Sequence, residues 1–189
     1  MIRIGILGDI GSGKTYVANS FGYPVFNADK EVEKLYQENK KVFEKLNKIL
    51  PLYVCSFPIK KIEIINAILA NKKNLKKIVK IVHLEIRKKL NIFLKKNRNK
   101  KIIILDIPLL LENKIYSKKD ILIFVQAHKK NILKRLTKRK NFNKKLLYNF
   151  KKIQLPLDIK KKKSKFVIKN NFRKKSVKIS INRILNEIL

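Results

Sequence analysis

The chain has 189 residues, a formal net charge of +35 and one cysteine, Cys55, which suits one domain with small insertions and excludes an internal disulfide. Its longest apolar run, Ile102 to Leu111, is interrupted by Asp106 and Pro108 and is too short to span a bilayer, so a soluble, cytoplasmic protein in a reducing compartment is expected, with no membrane partner. The charge attracts polyanions. However, 41 of the 48 basic residues are lysine, spread along the chain among 29 Ile and 19 Asn, a bias that A/T-rich codons explain. Arginine, the usual base reader, is scarce and aromatic residues do not interleave the lysines, so no specific nucleic-acid binding is expected, only weak attraction at low salt.

In chain order, the first element is a buried strand over 2–7, carried by Ile2, Ile4, Ile6 and Leu7. Because the N-terminus enters that strand at once, no signal peptide is expected. Gly8-Asp9-Ile10-Gly11-Ser12-Gly13-Lys14-Thr15 follows and fits G-x-x-x-x-G-K-[ST], in the strand–loop–helix context this motif requires. Successive backbone N–H groups of such a loop converge on phosphate oxygens, and the positive end of the next helix adds to the field. Gly11 and Gly13 omit Cβ atoms where the backbone curls. Lys14 is placed to reach the β- and γ-phosphates of ATP and Thr15 to ligate Mg²⁺, so Gly11, Ser12, Gly13, Lys14, Thr15 and the adjoining Tyr16 are the candidate nucleotide-binding residues.

A helix over 13–21 turns Val17, Ala18 and Phe21 inward, and Gly22 and Pro24 end it. A short strand, Tyr23 to Phe26, leads into Asn27-Ala28-Asp29 and a helix with Val32, Leu35 and Tyr36 on one face. Residues 39–97 read as a helical, lysine-rich insertion, broken once at 50–58 by two prolines. Lys101 to Leu105 is a continuous apolar strand of the kind found in a parallel sheet covered on both faces, and Ile121 to Val125 is another. Residues 131–152 read as a basic helical stretch with Arg135 and Arg139 four apart on one face; the Lys160–Lys163 run reads as a solvated face. A short strand, Phe166-Val167-Ile168, precedes a closing amphipathic helix with Val177, Ile181, Ile184, Leu185 and Ile188 inward. Alternation of strands and helices predicts an α/β fold with a mainly parallel five-stranded sheet flanked by helices.

Ligands of open parallel sheets bind at the carboxyl ends of the strands. The glycine loop, Asp29 and Asp106 all fall at such ends. Asp106, after four apolar residues, has the pattern of the acid that completes a Mg²⁺ shell; Asp29 is then free to take a proton from a substrate hydroxyl, although helix N-capping explains it as well and the reverse assignment of the two acids stays open. Arg135 and Arg139 are candidates for neutralising charge that develops on transferring phosphates. His83 lies in an apolar helical stretch with no visible metal-ligand or nucleophile partner.

Together these motifs resemble dephospho-coenzyme A kinase, which uses ATP to phosphorylate the ribose 3′-hydroxyl of dephospho-CoA. The likeness runs from Gly5 to about Asn171. Besides Gly8–Thr15, Asn27-Ala28-Asp29 resembles the family's Asp-Ala-Asp, Val82-His83 its His-Pro, and Asp106-Ile107-Pro108-Leu109-Leu110-Leu111-Glu112 its Asp-x-Pro-Leu-Leu-Phe-Glu. Gln154-Leu155-Pro156-Leu157 and Phe166-Val167-Ile168-Lys169-Asn170 resemble its tail. The resemblance implies a P-loop kinase core, a helical insertion at about 39–97 for the CoA moiety and a lid at about 131–152. It also implies Asp29 as base, Lys14, Arg135 and Arg139 on the phosphates, and Asn170 near the adenine. Asp29, His83, Asp106, Pro108 and Leu109 then lie on the substrate side. The departures are Asp9 and Tyr16 in and after the loop, Asn27 for an acid, Leu84 for a proline, and Lys60 or Lys61 for an arginine. The rival readings are another small-molecule kinase, acting on a nucleotide or sugar acid, and a decayed paralogue or nucleic-acid-binding ATPase.

Overall fold

A computed structural model of the chain describes residues 1–140 and 142–189. In chain order the elements are β1 (Ile2–Gly8), α1 (Lys14–Ser20), β2 (Val25–Asn27), α2 (Ala28–Glu38), α3 (Lys40–Ile49), α4 (Lys61–Ala70), α5 (Lys72–Lys96), β3 (Ile102–Asp106), β4 (Ile121–Gln126), α6 (Lys129–Thr137), α7 (Lys144–Lys152), α8 (Leu157–Lys162), β5 (Phe166–Lys169) and α9 (Lys174–Ile188). They fall into two compact units. One comprises Met1–Asn27, Asn97–Phe142 and Gln154–Leu189; the other comprises Ala28–Lys96 and Asn143–Ile153.

The first unit is built on an all-parallel sheet in the order β2-β3-β1-β4-β5. Every residue of β3 is buried, as an Ile-Ile-Ile-Leu run requires when neither face meets water. One face packs Ile4, Ile6, Ile102, Ile104, Ile123, Val125 and Ile168 against Val17, Ala18 and Phe21 of α1 and its C-cap and against Val177, Ile181 and Ile184 of α9. On β1, Gly5 has no Cβ because one would lie 2.6 Å from Leu110 Cδ2 and 2.8 Å from Leu122 Cδ2, so Leu110 can close directly over the central strand. Strand β1 lies between β3 and β4, with the chain leaving it in opposite directions on its two sides. That is the switch point at which open α/β sheets hold their ligands.

The second unit is helical. Leu35 of α2, Val42 and Leu46 of α3, Ile64, Ala67 and Ile68 of α4, and Leu75, Ile78, Val82, Ile86 and Leu90 of α5 are buried, and the long α5 packs against α2, α3 and α4. Asn39 caps α3, its side chain accepting from Val42 N–H. In the break at 50–58, Asn47 Nδ2 donates to Val54 O at 2.8 Å, and Ile59 N–H donates to Tyr36 O at 2.9 Å. These bonds satisfy backbone that no helix or strand covers.

Three readings of the sequence change. The stretch 39–97 is broken not once but twice, the second time at Asn71, whose extended backbone separates α4 from α5. The basic stretch 131–152 is not one helix: α6 ends at Thr137 and α7 begins at Lys144, where the Asn143 side chain accepts from Leu146 N–H at 2.9 Å and starts a new helix. Arg135 is therefore helical, whereas Arg139 lies in the turn that follows α6, its N–H donating to Leu136 O. Nor is Lys160 part of a solvated face. Its side chain is 1% exposed, and Nζ sits 2.8 Å from Glu112 Oε1 and 3.0 Å from Gln154 Oε1. A buried ammonium is tolerated only with such partners.

Candidate active site

The site grows from the turn between β1 and α1. Gly11 and Gly13 have φ of 85° and 90°, left-handed values that side chains rarely adopt. Each also marks a close approach. A Cβ on Gly11 would meet Ile132 and Leu136, the buried face of α6, at 3.0–3.1 Å; one on Gly13 would lie 2.4 Å from Asn170 Nδ2. The loop is held by Ser12 N–H donating to Asp9 O at 3.2 Å and by Asn170 Nδ2 donating to Ser12 O at 2.9 Å. Ser12 and Asn170 are buried. Lys14 Nζ donates to Asp9 O at 2.8 Å and to Gly8 O at 3.3 Å, so its ammonium lies over the loop. Tyr16, on α1, is exposed. The Asp9 carboxylate turns onto its own loop, Oδ1 accepting from Ile10 N–H at 2.7 Å.

Asp106 closes β3 beside this loop. Its Oδ2 accepts from Thr15 Oγ1 at 2.6 Å and from Asn27 Nδ2 at 2.7 Å. The parallel register places Asn27 opposite Asp106, which makes the second bond a consequence of strand pairing. Burial pushes the Asp106 carboxyl up from its ordinary value, while the Thr15 hydroxyl, the Lys14 ammonium and the Asn27 amide oppose the rise. A hydroxyl on a buried carboxylate at the foot of a phosphate loop is a donor set suited to Mg²⁺, which takes one or two protein oxygens and completes its octahedron with waters and phosphates. From the sequence alone Asn27 reads only as a departure from an acid. The signal that could have found its role is its position as the last residue of an edge strand, level with Asp106.

Pro108 and Leu109 are half-buried in the turns after β3, which close with Leu110 N–H donating to Ile107 O and Asn113 N–H to Leu109 O. Arg135 occupies the last turn of α6 with its guanidinium 4.4 Å from the centroid of Phe172, a residue that no motif singled out. The structure thus brings together Gly11, Ser12, Gly13, Lys14, Thr15, Asp106 and Asn170, and sets Arg135 and Arg139 on and just after the helix that touches Gly11. Asp29 and His83 belong to the helical unit. Asp29 is in the first turn of α2. His83 lies on α5, half-buried, its Nε2 enclosed without a hydrogen-bond partner among the described residues. Burial, and then the Arg87 guanidinium, lower the His83 pKa from 6.5, which favours the neutral ring.

The profile of the dephospho-CoA kinase family matches residues 2–175. The dephospho-CoA kinase of Wolbachia pipientis wMel is 33% identical over 190 residues, covering 98% of this chain and 97% of its own. A dephospho-CoA kinase structure from Campylobacter jejuni superposes with a TM-score of 0.67 at 25% identity, covering 98% and 96% of the two chains. A solved chain from Thermus thermophilus gives a TM-score of 0.79 at 26% identity, covering 100% and 98%. With the phosphate loop, the parallel sheet and Asp106 in place, these likenesses show that the chain belongs to the dephospho-CoA kinase family.

Proposed function

We propose that this chain transfers the γ-phosphoryl group of ATP to the ribose 3′-hydroxyl of dephospho-CoA through the residues assembled around β1. Family membership carries the reaction, and ATP-dependent phosphorylation of dephospho-CoA is the activity of the enzymes it resembles across its whole length. The observation that carries the assignment of parts is the 2.6 Å bond from Thr15 to Asp106. It supports the reading of this hydroxyl and carboxylate as the metal ligands.

In this reading the loop amides from Gly11 to Thr15 hold the β- and γ-phosphates and Lys14 swings from the loop carbonyls onto them. Thr15 and Asp106 would hold Mg²⁺, which would supply positive charge against the phosphates. Asp29 accepts the proton of the 3′-hydroxyl as its oxygen bonds to the γ-phosphorus; the bond from that phosphorus to the β,γ-bridging oxygen breaks and ADP leaves. Arg135 and Arg139 spread positive charge over the equatorial oxygens. Residues 131–152 act as the lid that excludes water, and His83, Pro108 and Leu109 line the acceptor side. Asn170 sits near the adenine, its amide already tied to the loop.

Coupled measurement of ADP formation with dephospho-CoA, AMP, CMP or gluconate as acceptor tests the substrate: turnover with dephospho-CoA alone is expected, and turnover with AMP but not dephospho-CoA would overturn it. For the base, Asp29→Asn should lower kcat by about a hundredfold or more, as the loss of a general base does, with ATP affinity by calorimetry retained. Unchanged kcat removes Asp29 from that role.

A further inference from the structure

We infer that Glu112 and Lys160 are positioning residues for the acceptor, the buried pair fixing the turns that carry Pro108 and Leu109; this rests on the reading above that those two residues line the acceptor side. Residues 107–120 run between β3 and β4 as turns and irregular backbone. Their backbone bonds are local: Leu110 N–H donates to Ile107 O, Asn113 N–H to Leu109 O and Lys114 N–H to Leu111 O. Such bonds shape each turn but do not set where the turns lie on the sheet. Lys114 has φ of 51°, a left-handed value that a side chain disfavours, so the turns do not rest in their own preferred conformation. Contacts distant in sequence place them. Leu110 closes over Gly5 of β1. Glu112 Oε1 accepts from Lys160 Nζ at 2.8 Å and from Leu155 N–H at 2.9 Å, and Lys160 Nζ donates also to Gln154 Oε1 at 3.0 Å. Helix α8, which carries Lys160, packs on β1, so the turns are pinned to the same strand that leads into the phosphate loop.

The pair is poorly suited to stability alone. The Glu112 and Lys160 side chains are 9% and 1% exposed, and Glu112 Oε2 is enclosed without a hydrogen-bond partner among the described residues. A buried carboxylate oxygen left unpaired carries a desolvation cost, and apolar residues of similar volume fill such a space without it. What a charged pair supplies and an apolar one does not is direction. An apolar contact tolerates sliding and rotation, whereas an ammonium shared between two oxygens and a carboxylate oxygen shared between two donors fix one arrangement. Turns held in that arrangement before the acceptor arrives do not have to be ordered when it binds. Asp106 has its own ties, to Thr15 and Asn27, so nucleotide binding does not depend on the pair.

Paired substitution separates stability from position. Glu112→Leu combined with Lys160→Met removes both charges and strands neither, so its melting temperature should stay within a few degrees of wild type. Gln154→Ala leaves the ion pair in place but frees Lys160 from one oxygen, and it keeps the test open if the double variant does not fold. Kinetics are read well below each melting transition, with dephospho-CoA and ATP varied in turn. In the double variant KM for dephospho-CoA should rise about three- to tenfold, the scale of ordering one or two side chains on binding, and in Gln154→Ala about twofold; KM for ATP and the calorimetric affinity for ADP should be unchanged in both. A double variant as stable as wild type with an unchanged KM for dephospho-CoA would show the pair to be structural only, and the inference fails. It fails equally if KM for ATP rises by the same factor, or, where the double variant does not fold, if Gln154→Ala leaves KM for dephospho-CoA unaltered. No turnover of dephospho-CoA by the wild-type chain would instead overturn the proposed reaction and the inference together.

Discussion

At Gly13 φ is 90° and an added Cβ would fall 2.4 Å from Asn170 Nδ2, so Gly13→Ala must break the bond from Asn170 to Ser12 as well as strain the loop. Strain of this kind costs about 1–3 kcal/mol. The variant should melt earlier and bind nucleotide at least tenfold more weakly by calorimetry, whereas Gly22, with none of the described residues within 4 Å of its Cβ position, pays only for its φ. At His83 the prediction concerns pH. The folded pKa lies below 6.5, so between that value and 6.5 the unfolded chain binds more protons than the native one, and native stability is lost as pH falls through this window. His83→Gln abolishes the difference in protonation. Melting curves from about pH 7.5 to 5.5 should therefore show wild type losing more stability on acidification than the variant; parallel losses would mean that the enclosed Nε2 titrates freely.

Between elements, one tie is a buried ion pair. Lys160 of α8 and Glu112, in the turns after β3, are 1% and 9% exposed and 2.8 Å apart, and Glu112 Oε1 also accepts from Leu155 N–H at 2.9 Å. The pair fastens the segment leading into α8 to the loop that follows Asp106, and α8 packs on β1. Removing one partner of a buried pair leaves an uncompensated charge, a cost of about 3–5 kcal/mol. Lys160→Met should accordingly lower the melting temperature by about 10 °C in a chain of this size; a shift below about 2 °C would show that water reaches Glu112. At the other end of the sheet, Arg3 Nε and Asp120 Oδ1 at 3.0 Å join the start of β1 to the residue before β4, a partly exposed pair from which a smaller effect is expected.

Over the whole molecule the +35 charge acts through self-repulsion and through polyanions. Self-repulsion weakens as salt screens it, since the Debye length falls from about 30 Å at 0.01 M to about 10 Å at 0.1 M. The melting temperature should rise by several degrees across that range, checked by calorimetry in sodium chloride. Labelled single-stranded DNA should be retained at low salt without sequence preference and released by about 0.2 M; retention of one sequence above that concentration would contradict the compositional reading of the lysines. No helix among the described residues is long and apolar enough to cross a membrane, in keeping with the interruption of the longest apolar run by Asp106 and Pro108.

Local order was legible because its causes are local. Ile2, Ile4 and Ile6 alternate, the glycines of 8–15 follow, and β3 is apolar without a break, so strand, loop and the acid at the end of β3 could be placed without knowing the fold. Tertiary structure decided what depends on partners distant in sequence. Lys160 reads as surface until Glu112, 48 residues earlier, is brought beside it; Asn27 reads as a lost acid until strand pairing sets it against Asp106; and Phe172 reads as nothing until α6 lays Arg135 across its ring. Periodicity and motif report what a segment can do alone, whereas the state of a buried charge or the seat of a cation is a property of two segments, and only their packing supplies the second.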